Sequence, residues 1–268
     1  SSEVTAKVDL SIPFQIKSEL NYFDISTAFS LSRLCVLTYQ NEKDIENVSK
    51  KMWDFEKVTI LDTPHNSLRS VILKKDNNLV IAFRGTDNIF NVMSNFEAAK
   101  ASTPLLQGRV HEGFLSCITR IWESLKAKIL EFNPNENSTI WLTGHSLGGV
   151  LATLCAASLV EQKLFSGKQV RLYTIGQPRC GDATFQTNFE KEIPLAFPIF
   201  KKGDPIPTVP PNYWPFSYQH ISTFKFIDQV YLSLDENAKE LDLKKEFLKQ
   251  REEDPTNQDD DPDFPSIE

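Results

Sequence analysis

The chemistry suggested by this sequence gathers around one serine. The segment Thr139-Ile140-Trp141-Leu142-Thr143-Gly144-His145-Ser146-Leu147-Gly148-Gly149 contains Gly144-x-Ser146-x-Gly148, with an apolar run before it and the small-residue run Val150-Leu151-Ala152-Thr153 after it. The bare pentapeptide arises by chance in roughly one chain in ten of this length. A strand before it, a helix after it and a third glycine at Gly149 make it a nucleophile elbow. In so tight a turn, side chains two positions either side of the serine would clash, so both places call for glycine. The hydroxyl then stands proud of a sheet, with a helix N-terminus beneath the negative charge of an attacked carbonyl. The reaction this arrangement equips is acyl transfer, with Ser146 as nucleophile and a covalent acyl-enzyme. The competing reading is an ordinary tight turn with a surface serine. His145, next to the serine but on the other side of the turn, reads as a packed core histidine.

The elements that must position Ser146 follow from periodicity. Apolar residues at helical spacing predict a helix over 23–39 (Ala28, Leu31, Leu34, Cys35, Tyr39) and a second over 43–53. Strand-like segments at 70–73 and 79–83 flank the turn signal Asp76-Asn77-Asn78. Helices then alternate with strands: helix 112–132, strand 139–143, helix 147–164, strand 170–175, helix 183–191 and strand 198–200. A strand near 224–230 and a charged helix over 236–250 complete the pattern. Such alternation predicts an α/β fold, a mostly parallel sheet with helices on both faces.

Composition narrows the function. With 268 residues and 40% hydrophobic content, the chain can bury a sizeable core as one domain over 1–251. The acidic run from Glu252 to Asp263 marks 252–268 as a poorly ordered tail. A net charge of −7 leaves no basic surplus for nucleic acid. No apolar run reaches eighteen residues, so no transmembrane segment is expected. Cys35, Cys117, Cys155 and Cys180 form no C-x-x-C pair and read as buried thiols. Metal-ligand spacing and G-x-G-x-x-G are both missing, so neither metal nor cofactor is expected. The opening Ser1-Ser2-Glu3 has neither an initiator Met nor a signal-peptide pattern. It reads as a processed or trimmed product, soluble and either cytoplasmic or secreted after processing.

Five blocks occur in order over 79–220: Phe83-Arg84-Gly85-Thr86, Val110-His111-Glu112-Gly113-Phe114, the elbow, Tyr173-Thr174-Ile175-Gly176-Gln177-Pro178-Arg179-Cys180-Gly181-Asp182, and Asp204-Pro205-Ile206-Pro207 running into Val209-Pro210-Pro211. On these blocks the chain resembles the class 3 (fungal-lipase-like) lipase family. The resemblance implies an α/β-hydrolase fold and hydrolysis of lipid esters by a Ser-Asp-His triad. It makes Ser146 and Asp204 catalytic residues, and the backbone N–H groups of Thr86 and Leu147 the oxyanion hole. Asp204, after a strand and before a proline-rich loop, suits a rigidly held carboxylate. Its rivals are Asp182, better read as a helix cap, and Asp87. Arg84 reads as a structural partner of a carboxylate.

The base is where the sequence departs from the family. The resemblance implies a histidine near the C-terminus, in Asp-His followed by a tyrosine. Only His65, His111, His145 and His220 exist. His220 matches a family position that is not the catalytic one. Three readings stay open: the natural protein continues past Glu268, His220 is recruited, or the chain is a catalytically impaired relative that binds a lipid or a protein.

A lid is the remaining expectation. Ile89, Val92, Met93 and Phe96 fall on one face of a short helix that Asp87 or Asn88 could cap. The family counterpart of 88–97 is a lid that opens at a lipid surface, although Val92 replaces a family tryptophan. The plain alternative is a helix packed permanently on the core. The expected partner is a lipid or ester substrate, with transient lipid-surface contact through this segment.

Overall fold

The computed structural model describes residues 10–63, 68–94, 100, 104–201, 204–210, 212, 217–222 and 225–227. Seven strands form one sheet in chain order: β1 Lys57–Asp62, β2 Arg69–Lys75, β3 Asn78–Phe83, β4 Thr139–His145, β5 Val170–Ile175, β6 Ala196–Lys201 and β7 Lys225–Ile227. The first three pair antiparallel and β3 to β7 run parallel, so four of the six pairings are parallel, as the alternation predicts. β1 is an addition to the sequence reading. It is an edge strand that buries only Val58, so its alternation is too thin to stand out. The predicted helix over 236–250 and the acidic tail lie outside the described residues.

Among the described residues, six α-helices accompany the sheet: α1 Ile25–Leu37, α2 Glu42–Asn47, α3 Ile89–Ser94, α4 Glu112–Leu130, α5 Leu147–Glu161 and α6 Ala183–Glu192. α2 runs into a π-helical turn, Val48–Met52. Several helices start where a side chain accepts an otherwise orphaned N–H. Asp24 takes the Thr27 N–H at 2.8 Å, Asn41 that of Asp44 at 2.9 Å, and Asp182 that of Phe185 at 2.9 Å. Asp182 is thus the cap its position suggests.

Strand order decides which helix covers which face. Every parallel crossover steps the same way along the sheet, and the right-handed rule then places the crossover helices on one face. Phe114 and Leu125 of α4, Leu151 and Leu154 of α5, and Phe185 of α6 accordingly share a core with Ile81, Leu142 and Leu172. α5 buries nearly its whole circumference, which is why its sequence is apolar or small all round. The opposite face, with Val80, Trp141 and Tyr173, is left to the N-terminal segment. Leu31, Leu34 and Cys35 of α1 cover it together with Ile45 and Trp53. Truncating Leu34 to Ala would cost about 2–5 kcal/mol through the cavity it leaves.

Candidate active site

All the residues singled out for chemistry sit at the C-terminal ends of the parallel strands. In register, Phe83 pairs with Gly144, His145 with Ile175, and Ile175 with Ile199. The loops that carry Thr86, Ser146 and Asp204 therefore leave the sheet from one edge. Open parallel sheets offer their binding crevice there.

Ser146 occupies the turn between β4 and α5 at φ 55 and ψ −122, a backbone conformation that side chains other than glycine rarely adopt. Holding it there costs about 1–3 kcal/mol. The cost is met by bonds on both sides: the Ser146 N–H donates to the Ile175 carbonyl at 2.9 Å, and the Ser146 carbonyl accepts from Gly149 N at 3.0 Å. Both flanking glycines are required by space. A Cβ at Gly144 would run into the Gly148 carbonyl, and one at Gly148 into the Phe83 carbonyl. The clash foreseen from the pentapeptide is thus between backbones. Leu147 is the first residue of α5, where a helix leaves its N–H groups outside its own bonding. Thr86 lies in the loop after β3, its Oγ1 accepting from Asn88 N at 3.1 Å.

Asp204 follows β6. Its Oδ1 accepts from Ile206 N at 3.0 Å, which leaves Oδ2 to face the end of β5. There Gly176 adopts φ +59, and a Cβ at that position would lie 2.9 Å from Asp204 Oδ2 and 3.7 Å from His145 Nε2. Gly176 is therefore glycine both for its backbone and because a side chain would crowd the Asp204 carboxylate. The loop 204–210 is held from outside by Arg179, whose Nη1 donates to the carbonyls of Thr208 at 2.6 Å and Pro210 at 3.2 Å. The Arg179 N–H adds a 2.8 Å bond to the Val209 carbonyl. Nothing in the spacing of Arg179 announces this role.

The histidines fall into different settings, and His65 lies outside the described residues. His111 is buried, and its Nδ1 accepts from Gly113 N at 3.1 Å as the cap of α4. Burial pulls its pKa down to about 4. His220 lies on the Phe200 ring, with centroids 4.7 Å apart. Burial and then the Arg179 charge pull it down to about 3, against a bond to the Pro207 backbone. A base of that strength takes up a proton poorly at neutral pH. His145 is lowered by burial too, while the carboxylates of Asp204 and Asp87 act to raise it. The reading of His145 as a packed histidine thus omits two features: its Nδ1 lies 3.2 Å from the Tyr39 hydroxyl, and its ring feels the charge of Asp204.

The short helix α3 buries Ile89 and packs Val92 and Met93 against the core, while Phe90 is 55% exposed. Phe96 lies outside the described residues. Among the described residues, no helix is long and apolar enough to cross a membrane.

An elbow of this geometry on a sheet of this order defines a class of protein, and comparison with known proteins agrees with it. The family described as Lipase (class 3) matches residues 80–214. Secreted mono- and diacylglycerol lipase 1 of Fusarium solani is 31% identical over 165 residues, which are 61% of this chain and 48% of that protein. The lipase of Rhizomucor miehei is 33% identical over 142 residues, covering 52% of this chain and 39% of that protein. A solved structure of Rhizomucor miehei triacylglyceride lipase superposes with a TM-score of 0.66 at 24% identity, over 76% of this chain and 80% of that one. Lipase II from Rhizopus niveus gives 0.63 at 22% identity, over 74% and 78%. These structural likenesses speak for the α/β-hydrolase fold alone.

The chain belongs to the class 3 lipase family. It spans about half or less of the length of the curated relatives it matches.

Proposed function

We propose that this protein is a carboxylic ester hydrolase acting on acylglycerols or other lipid esters through an acyl-enzyme on Ser146. The observation that carries this reading is the elbow: a serine held at φ 55 between a buried strand and the N-terminus of a buried helix. Ser146 Oγ attacks the acyl carbonyl as a base takes its proton. The N–H groups of Thr86 and Leu147 receive the oxyanion, each donor being worth about 2.7–4 kcal/mol by comparison with other enzymes. Asp204 orients and stabilises the base. Water then releases the acid. Relatives named for acylglycerols support the substrate class. α3, with Phe90 outward, is the lid and the point of contact with lipid.

A second reading is a lipase-like protein that binds lipid or a partner without turnover. It is favoured by the settings of the described histidines: His111 is spent as a cap, and His220 is held neutral against Phe200.

One experiment separates the two. Hydrolysis of short and long p-nitrophenyl esters would be measured for the chain and for Ser146→Ala, with and without added imidazole. Turnover lost in Ser146→Ala supports the hydrolase, and His220→Ala then tests whether His220 is the base. Turnover that appears only with imidazole, and only with Ser146 present, identifies an intact site short of a base. No Ser146-dependent turnover under any of these conditions favours the binding reading.

A further inference from the structure

Tyr39 is an odd tyrosine. The residue is 40% exposed, yet its hydroxyl turns to protein partners, whereas tyrosines at a surface usually turn the polar tip to water. The tip reaches the seam between two of the site's loops. It lies 3.2 Å from His145 Nδ1, and a Cβ on Gly85 would collide both with this hydroxyl and with the His145 carbonyl. Tyr39 itself stands just past the end of α1, on the face of the sheet opposite α5. One side chain from the N-terminal helix thus meets both the loop after β3 and the residue before the nucleophile.

The direction of the hydrogen bonds follows from what surrounds the two rings. The Gly85 backbone N–H reaches the Tyr39 oxygen, which is thereby an acceptor on that side and keeps its own proton to give. Burial pushes the Tyr39 phenol up to about 12, with the charge of Asp87 adding to this, so it remains a donor at any physiological pH. Across the imidazole, Nε2 and Asp204 Oδ2 both border the space beside Gly176, and the Asp204 charge acts on the ring. Negative charge on that side favours the proton on Nε2. Neutral imidazole has one donor and one acceptor nitrogen, so Nδ1 is then free to accept from Tyr39.

We propose that Tyr39 and His145 are positioning residues of the site: the Tyr39 hydroxyl accepts from Gly85 N–H and donates to His145 Nδ1, which fixes His145 with its Nε2–H toward the Asp204 carboxylate. The contacts join the loop carrying Thr86 to the turn carrying Ser146, and the charge of Asp204 reaches the same imidazole. They hold the oxyanion loop against the elbow without touching substrate. The proposal rests on the ester-hydrolase reading for its kinetic consequence, and on the geometry alone for the rest.

The test uses the whole chain, whose four histidines give a simple spectrum. Nitrogen-15 shifts of the imidazoles at neutral pH report the tautomer. The expected result is His145 wholly Nε2–H in the chain and a mixture of tautomers in Tyr39→Phe and in Asp204→Asn. His145 with its proton on Nδ1 in the chain itself would overturn the proposal. Exchange of the Gly85 amide is expected to rise about tenfold in Tyr39→Phe, the loss of one hydrogen bond. Unchanged protection would overturn it as well. In the kinetic arm, Tyr39→Phe lowers kcat about tenfold or more while KM stays within about twofold, as expected when only alignment is lost. Unaltered kcat in a protein that shows the expected tautomer would overturn the positioning role. Where the chain itself shows no Ser146-dependent turnover, the ester-hydrolase reading fails, and the tautomer and exchange arms still decide the geometry.

Discussion

Arg179 donates a 2.6 Å hydrogen bond to the carbonyl of Thr208, in the loop that opens with Asp204. The loop that opens with the site's carboxylate is therefore held by a cation through backbone carbonyls further along it. Replacing Arg179 by Ala frees those carbonyls and removes the charge that helps keep His220 neutral. The expected outcome is a fall in kcat of about tenfold, from a small misplacement of Asp204. Steady-state kinetics on a p-nitrophenyl ester check it, and an upward move of the His220 pKa, read by NMR, accompanies it.

The elbow is tested by adding and by removing a single carbon. Gly148→Ala drives a methyl group into the Phe83 carbonyl, with backbone on both sides and no side chain to give way. Destabilisation of about 3 kcal/mol is expected, at the upper end for overpacking. Ser146→Gly acts the other way. Glycine accepts the positive φ without strain, so this variant should exceed Ser146→Ala in stability by about 1 kcal/mol while both lack activity. Urea unfolding of the three variants is the measurement.

His111 makes stability depend on pH. Its folded pKa of about 4 lies below the ordinary histidine value of about 6.5, so between these the unfolded chain binds the extra proton. The contribution is complete above about pH 6.5 and is lost as pH falls toward the folded value, with a slope of about 1.4 kcal/mol per pH unit. His111→Asn keeps a capping acceptor and has nothing to titrate. Denaturation midpoints from pH 7 down to 4.5 should fall less steeply in the variant than in the chain.

Phe90 is the exposed aromatic of α3, beside the buried Ile89. Phe90→Ser should leave stability within about 0.5 kcal/mol, as for other surface substitutions. It should weaken adsorption to a lipid emulsion by about tenfold, since burying one aromatic side chain is worth about 1.5–3 kcal/mol. Hydrolysis of a dissolved short ester should be unaffected. Equal adsorption by both proteins would remove α3 from the lipid contact.

Much of this molecule is legible in the sequence, and the reasons are local. Val170–Ile175 is found as predicted because a buried parallel strand is a short apolar run bounded by turns. α5 follows from its apolar and small residues, and Ser146 from the glycines its turn demands. What stayed hidden depends on distance along the chain. Tyr39 and His145 meet across 106 residues, and no spacing rule relates an exposed tyrosine to an elbow. Arg179 acts on carbonyls, which carry no sequence signature. The π-helical turn after α2 hid inside an ordinary helical pattern, and His111 hid as a cap because histidine is not among the usual cap residues.

The division of the sheet into two covered faces bears on how the chain is made. The Asp24 N–H bonds to the Tyr173 hydroxyl across 149 residues, and Cys35 meets Thr143 across 108. On the ribosome α1 emerges early and waits while β3, β4 and β5 are synthesised behind it. Neighbouring strands are sequence neighbours, so the sheet can gather with α4 and α5 as it appears, its other face bare until α1 docks. Closure of that face waits on β4 and β5. Until β4 and β5 exist, α1 lacks the Thr143 and Tyr173 hydroxyls it bonds to in the folded protein, and Trp141 lacks the cover of α1.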